Sequence, residues 1–316
     1  MKEMAAETAI TALPLIADRD YLERAGHDEV RPLLSDVADD YPGGIIIPVD
    51  KPYRWTSADV IRKIRNIATR HFRKKNLKVG HAGTLDPLAT GVLLVCIGKA
   101  TRLAEQLQSH DKEYVAGITF GATTPSYDLE KEIDRLFPHS HVTKSSIEAV
   151  LPGFIGEQEQ IAPLFSAKSV DGIRAYEIAR KLYRRGESID PTAAAAGLIR
   201  TSVITISDIE LLSFHPQGRR EEAACGQAEA DGTHGQSGTD GRSLRINVTD
   251  NSSLNLPEAV IRLECSKGTY VRAFARDLGE ALDSGAHLSF LRRSRSGEFR
   301  MEKALKIDEA VSLFRN

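Results

Sequence analysis

One aspartate in this 316-residue chain stands where a carboxylate could act as a nucleophile. Asp86 lies within Gly80-His-Ala-Gly-Thr-Leu-Asp-Pro-Leu-Ala-Thr-Gly91, among three glycines and next to a proline. Pro87 pushes Asp86 out of the helical region toward an extended backbone. Gly83 and Gly91 allow close approach of backbone or ligand. A short carboxylate held on such a loop keeps its geometry while its face stays open, which suits nucleophilic work. An ordinary Asp-Pro turn has the same local chemistry. A second dense segment is Cys265-Ser-Lys-Gly-Thr-Tyr-Val-Arg272, where Lys267, Tyr270 and Arg272 cluster at a strand-to-helix junction. Arg272 there could keep a carboxylate elsewhere ionised, or simply be one surface charge at a helix start. Tyr114, at the head of a strand, reads either as sheet packing or as a stacking platform for a base.

Other motifs fail on spacing. Gly98-Lys99-Ala100-Thr101 ends like a phosphate loop, but Leu93 stands where the first glycine is required. No GxSxG elbow accompanies His81 and Asp86. His139 and His141 form the one close histidine pair and have no third ligand at metal spacing, so they read as loop surface.

The elements that must position these residues follow from periodicity. Gly44–Asp50 is short and β-branched, a strand. Thr56 caps a helix with Asp59 three residues on, close to a capping box. Val60, Ile61, Ile64, Ile67 and Ala68 form its buried stripe. Strands are expected at Gly91–Ile97, Glu113–Phe120, Val203–Leu212, Leu244–Val248, Ala259–Cys265 and Ser289–Phe299. Helices are expected at Ala100–Leu107, 144–151, Ala175–Tyr183, Thr269–Leu282 and Asp308–Phe314. Strands and helices mix without a βαβ beat, which predicts an α+β fold with a mixed, largely antiparallel central sheet flanked by helices. Residues 1–42 read as a loosely attached acidic extension, partly disordered, with a short helix within Tyr21–Val37. Residues 43–305 read as one catalytic domain and 306–316 as a short C-terminal helix. Six glycines and almost nothing apolar mark 216–243 as a flexible insertion.

Composition narrows the class. Hydrophobic residues make up 41% and charged residues 27%, so a sizeable core is affordable and full disorder is excluded. No apolar run reaches the roughly 18 residues of a membrane helix, and no secretory leader is recognisable. Three scattered cysteines without a CxxC pair fit a reducing cytoplasm. The net charge of −2 hides a strong asymmetry. Residues 1–50 hold 4 Lys/Arg against 11 Asp/Glu, whereas residues 51–112 hold 13 against 4. Because screening acts over about 10 Å, such a local basic field can steer a polyanion.

Taken together, HAGTLDPLATGVL, KEY (Lys112–Tyr114), CSKGTYVRAFARDLGEAL and GAHLSFLRRSRSGEF resemble the TruB family of tRNA pseudouridine synthases. GIIIPVDKPYRWTSADVIRKIR and SAKSVDGIRAYEIARKL look like the same family, and the resemblance covers about residues 43–300. It implies a pseudouridine synthase fold, isomerisation of the uridine at position 55 in the TΨC arm, no cofactor, and a monomer needing neither guide RNA nor an obligate protein partner. Residue by residue it implies Asp86 as the catalytic aspartate, Tyr114 packing on the target base, and Arg272 pairing with the aspartate. Tyr270, Lys267 and Leu291 match its substrate pocket, His81 the histidine that fills the stack after the base leaves, and Asp128 an aspartate at the rim. Arg62, Arg65, Lys74, Lys75, Arg292 and Arg293 would contact RNA phosphates, which fix position without reading sequence. The chain departs from the pattern in its acidic start, in 216–243, and in having only 17 residues after Phe299, so no C-terminal PUA domain is expected. An RNA-folding chaperone is a second reading. An N-glycoside hydrolase would want a paired carboxylate opposite Asp86, and no such motif is present.

Overall fold

The computed structural model describes residues 12–26, 33–163, 165, 169–170, 173–174, 201–218 and 246–314. They form two compact units, one of residues 1–110 with 293–316, the other of 111–292. Both mix helices with a sheet, so the α+β expectation holds.

The first unit contains β1 (Leu15–Ile16), α1 (Arg19–Ala25), β2 (Ile45–Lys51), α2 (Ser57–His71), β3 (Val79–Ala82), β4 (Ala89–Ile97) and α3 (Ala104–Ser109). β4 pairs antiparallel with both β2 and β3. Its run Val92–Ile97 is buried throughout, as a strand covered on both faces requires. Thr56 and Asp59 close a full capping box on α2. Of the expected stripe, Val60, Ile61, Ile64 and Ala68 are buried, while Ile67 is only partly so. The described part of the acidic segment is not loose. Leu15 and Ile16 add a parallel strand beside Ile45 and Ile46, and Ala17, Leu22 and Leu34 are buried. Arg19 anchors it further through Glu309 at 2.7 Å.

The second unit is built on β5 (Lys112–Phe120), with β6 (Ala122–Thr123), β7 (Arg135–Leu136), α4 (Lys144–Val150), β8 (Gly156–Gln160), β9 (Ser169–Val170), β10 (Ile173–Arg174), β11 (Ser202–His215), β12 (Glu258–Cys265) and α5 (Val271–Ala281) following. The order β5-β12-β11-β8 is antiparallel throughout. Ala116, Ile118, Ile261 and Leu263 fill its core with Phe274 and Leu278 of α5. β13 (Ala286–Ser296) belongs to this unit through Arg292 and to the first from Arg293 onward. The first unit is completed by β14 (Phe299–Arg300) and α6 (Ile307–Ser312).

Three expected elements differ. The strand expected over Ser289–Phe299 is a hairpin, because Gly297 turns at φ 59° and Ser296 pairs with Phe299. The strand expected at Leu244–Val248 is not formed in its described residues, 246–248; just beyond, Thr249 N–H donates to the Leu129 carbonyl at 2.8 Å. The segment Ala100–Leu107 begins as a tight 3₁₀ turn over Gly98–Leu103 before α3. The helix expected at Ala175–Tyr183 and most of the 216–243 insertion lie outside the described residues.

Gly91 is required where β4 passes β13. Its φ is 98°, and a Cβ there would stand 2.2 Å from the Arg293 carbonyl oxygen. Gly26 also has positive φ, at 77°, but open space around it among the described residues. Gly91→Ala should therefore cost about 3 kcal/mol, strain plus overpacking. Gly26→Ala, at φ 77° and ψ 149°, should cost about 2 kcal/mol, strain alone. Urea denaturation of both variants checks the ranking, and equal losses would refute the close-approach argument.

Candidate active site

Asp86 lies on the loop between β3 and β4, partly exposed, while its neighbours are pinned. On one side, Leu85 N–H donates to Ser57 Oγ at 2.9 Å, and Ser57 Oγ donates back to the Leu85 carbonyl at 3.1 Å. Ser57 is the first residue of α2, so the capped helix start is also an anchor for the loop. On the other side, Lys51 Nζ donates to the Pro87 carbonyl at 3.1 Å and to those of Pro52 and Trp55 at 2.9 and 2.5 Å. The three protons of its ammonium are thus matched by three carbonyls. Further back, Arg293 donates from its guanidinium to the carbonyls of Gly83 at 3.0 Å and Val92 at 2.7 Å. Asp50 accepts from Gly91 N–H at 3.1 Å, securing the far end. The loop backbone is held by buried side chains from separate elements, while the Asp86 side chain stays partly exposed.

The electrostatics of this loop are set by burial. Lys51 is fully buried, and desolvation pulls its pKa down to about 7, with the charges of Asp86 and Asp50 opposing. Desolvation, followed by the nearby Arg293 charge, lowers the pKa of His81 below its ordinary value. His81 therefore faces neutral solution as an uncharged ring, and its Nδ1 is buried with no hydrogen-bond partner among the described residues. An uncharged aromatic ring at the loop's edge can stack on a base without a charge to desolvate.

The second unit holds the other expected residues. Tyr114 is buried on β5, opposite Leu263 of β12. Arg272, in the first turn of α5, is buried and donates to the carbonyls of Ser126 at 3.1 Å and Phe165 at 3.0 Å. Its Nε stands 3.7 Å from the Asp128 carboxylate. Asp128 is buried. Its Oδ1 accepts from Ser126 Oγ at 2.6 Å and from Glu130 N–H at 2.9 Å. Tyr270 caps α5 by position, its backbone held in both directions by the Gln160 amide. Lys267 is exposed on the preceding turn, and Leu291 is partly buried on β13.

The expected phosphate contacts divide. Lys74 and Lys75 are exposed just beyond α2, and Arg292 is partly exposed. Arg62 is exposed but paired with Asp59 at 2.7 Å, and Arg65 donates to the Val79 carbonyl at 2.7 Å. Arg293 is a correction: it is 1% exposed, and it is spent on loop carbonyls rather than presented to solvent. Sequence reasoning also passed over Lys51 and Ser57. A signal for Lys51 exists, since strand alternation places it on the face of Ile47 and Val49. Among the described residues no group of side chains is arranged to hold a metal ion.

The model of the TruB family pseudouridylate synthase N-terminal domain matches residues 69–229. The chain is 44% identical over 265 residues to a tRNA pseudouridine synthase B of Phocaeicola vulgatus, covering 84% of this chain and 91% of that protein. It is also 44% identical over 262 residues to one of Bacteroides fragilis, covering 83% and 90%. Among solved structures it is similar to a chain of a Cbf5-Nop10-Gar1 complex, with a TM-score of 0.51 and 27% identity. That match covers 85% of this chain but only 54% of the other, so this chain spans about half its length.

Replacing Lys51 by methionine strands three carbonyls and should destabilise the protein by about 2 kcal/mol at pH 7. The pH dependence has a defined sign. With its folded pKa lowered to about 7 from 10.5, Lys51 binds fewer protons folded than unfolded between those values. Wild-type stability relative to Lys51→Met should therefore rise with pH above 7, by up to about 1.4 kcal/mol per unit, and flatten near 10.5. Urea melts of both proteins at several pH values test this, and a gap that narrows as pH rises would refute it.

Proposed function

This chain belongs to the TruB family of pseudouridylate synthases, and we propose that it converts a uridine of tRNA to pseudouridine, at position 55 of the TΨC arm, with Asp86 as nucleophile. The observation that carries the assignment of Asp86 is its loop: a partly exposed carboxylate whose neighbours on both sides are hydrogen-bonded to buried side chains. Two relatives of 44% identity, each called a tRNA pseudouridine synthase, support the substrate and the reaction.

The reaction exchanges one bond to the sugar for another. The bond from N1 of uracil to C1′ breaks, the base turns, and C5 bonds to C1′. C5 then gives up its proton and N1 carries one, so atoms and electrons balance with no external oxidant or reductant. The Asp86 carboxylate serves as the nucleophile while the base is detached. A uridine stacked in a folded arm must first leave the stack, at a cost of a few kcal/mol. Stacking on aromatic faces returns about 1–3 kcal/mol per base. We assign Tyr114 to the extruded base and the uncharged His81 ring to the gap left behind. Leu291, Tyr270 and Lys267 are assigned to the substrate pocket. Lys74, Lys75 and Arg292 are assigned to RNA phosphates, and Arg62 and Arg65 to the same basic face, with their guanidinium groups partly engaged within the protein.

In a single-turnover assay on an unmodified tRNA transcript, wild type should give pseudouridine at position 55, read by a base-specific chemical stop. Asp86→Asn should retain tRNA affinity within about threefold and lose product by about 10⁴-fold or more, the scale expected when a nucleophile is removed. Wild-type binding with no product would favour an RNA-folding role. Product with Asp86→Asn would exclude Asp86 as nucleophile.

A separate prediction concerns Arg272. Arg272→Met removes the guanidinium 3.7 Å from the buried Asp128 carboxylate and the donors to the Ser126 and Phe165 carbonyls. It should destabilise the fold by about 3 kcal/mol, since breaking a buried pair costs more than the pair contributes. The double variant Arg272→Met/Asp128→Asn should recover part of that loss, and thermal melts that show no recovery would remove the pairing from the account.

A further inference from the structure

A pocket of about 510 Å³ opens in the first unit at the end of β4 remote from Asp86. Its floor is apolar and aromatic: Tyr41 and Phe72 meet edge to face at 5.9 Å, beside Ile45 and Ile97. Its rim carries Lys74, Lys78, Lys99 and Arg102, all exposed, against one acid, Asp39. None of these four cations has a hydrogen-bond or ion-pair partner among the described residues. Nearby charges are already used elsewhere, as in the Arg73–Asp36 pair at 3.4 Å. One wall is made by Ala38–Pro42, from the acidic segment that lies outside the family pattern.

From Gly91, which faces Lys51 beside the reactive loop, to Ile97 at the pocket, β4 spans about 20 Å. A single nucleotide reacting at Asp86 cannot fill this pocket. A polynucleotide can reach both. Four unpaired cations above an aromatic floor match what a nucleotide offers, phosphates for the rim and a flat ring for the floor. The volume lies within the range that holds a small organic ligand. Resting on the tRNA-modifying reading of Asp86, we infer that this pocket is a second RNA subsite, seating a nucleotide of the same tRNA that lies outside the reacting loop.

The occupant is RNA because the rim is uncompensated and a phosphodiester chain brings several anions at fixed spacing. Binding there releases condensed counterions, so the subsite contributes to affinity in a salt-dependent way and does not touch the reacting atoms. Its signature is in KM, not kcat.

The test compares a full-length tRNA transcript with a hairpin limited to the reacting arm, using the full-length protein. Lys78→Ala/Lys99→Ala/Arg102→Ala should raise KM about tenfold for tRNA and leave the hairpin KM unchanged. The slope of log affinity against log salt for tRNA should fall by about two, at about 0.7–0.9 for each phosphate no longer neutralised. Arginines at positions 78 and 99, with Arg102 kept, should restore both. Affinity is read by filter binding as well as by turnover. Absence of wild-type product with the tRNA-specific binding loss intact would sink the catalytic reading and leave the subsite standing. Equal losses on both RNAs, no loss on tRNA, or an unchanged salt slope would overturn the subsite. So would calorimetric binding of ATP to the pocket without any change in tRNA affinity.

Discussion

A carboxylate on a loop keeps a fixed geometry only if the loop cannot relax around it, and at Asp86 that constraint is met by buried donors. Ser57 closes a two-way bond with Leu85, Lys51 takes the carbonyl of Pro87, and Arg293 takes that of Gly83. These bonds lie on both sides of Asp86. Loop backbone carries carbonyls that water would otherwise satisfy, and taking them into the protein without donors would be costly. Supplying the donors from a strand, a helix start and a returning C-terminal strand makes the loop as rigid as the elements around it. Two of the donors are cations, and burying a cation is itself expensive unless its protons are matched. The Lys51 ammonium meets three carbonyls, which is its full donor capacity.

The same requirement explains the sheet around it. β4 must carry the loop at one end and be packed on both faces, so its residues from Val92 to Ile97 are wholly apolar. β13 must come close enough for Arg293 to reach beneath the loop, and the absent side chain at Gly91 sets that distance. Arg293 is therefore both a side-chain brace and, through its backbone, the neighbour that excludes a Cβ at Gly91. One strand crossing fixes two features that look unrelated in sequence.

Much of this was legible before the structure. The capping box at Thr56 and Asp59, the buried strand at Gly91–Ile97 and the position of Asp86 all follow from local pattern, because each depends on residues close in sequence. What was missed depends on partners far apart. Arg293 stands in a run of arginines that reads as a basic surface, and only a hydrogen bond spanning 210 residues makes it internal. The burial of Asp128 depends on such a partner too, since the Arg272 guanidinium beside its carboxylate comes from 144 residues further along the chain. The acidic start reads as a loosely attached extension because its apolar residues keep no sustained period. Two residues, Leu15 and Ile16, suffice to join the sheet, and composition averages such a pair away.

Charge is distributed by the same logic of use. Cations that the fold needs are buried and matched to carbonyls, as at Lys51, Arg272 and Arg293. Cations left exposed, such as Lys74, Lys78 and Lys99, have no such partners among the described residues. A buried cation contributes rigidity but cannot touch a phosphate, whereas an exposed one can. The sequence run from residue 51 to 112 contains both kinds, so its excess of positive charge overstates what a polyanion meets. The acidic segment lies in the same unit and meets the cations at Asp36, which pairs with Arg73 at 3.4 Å, and at 38–42, where it forms a wall of the basic pocket with Asp39 as the acid there. A segment kept only for solubility would have no reason to line a cationic hollow while leaving the four rim cations uncompensated. Shaping that hollow is a role its strongly acidic composition would not suggest.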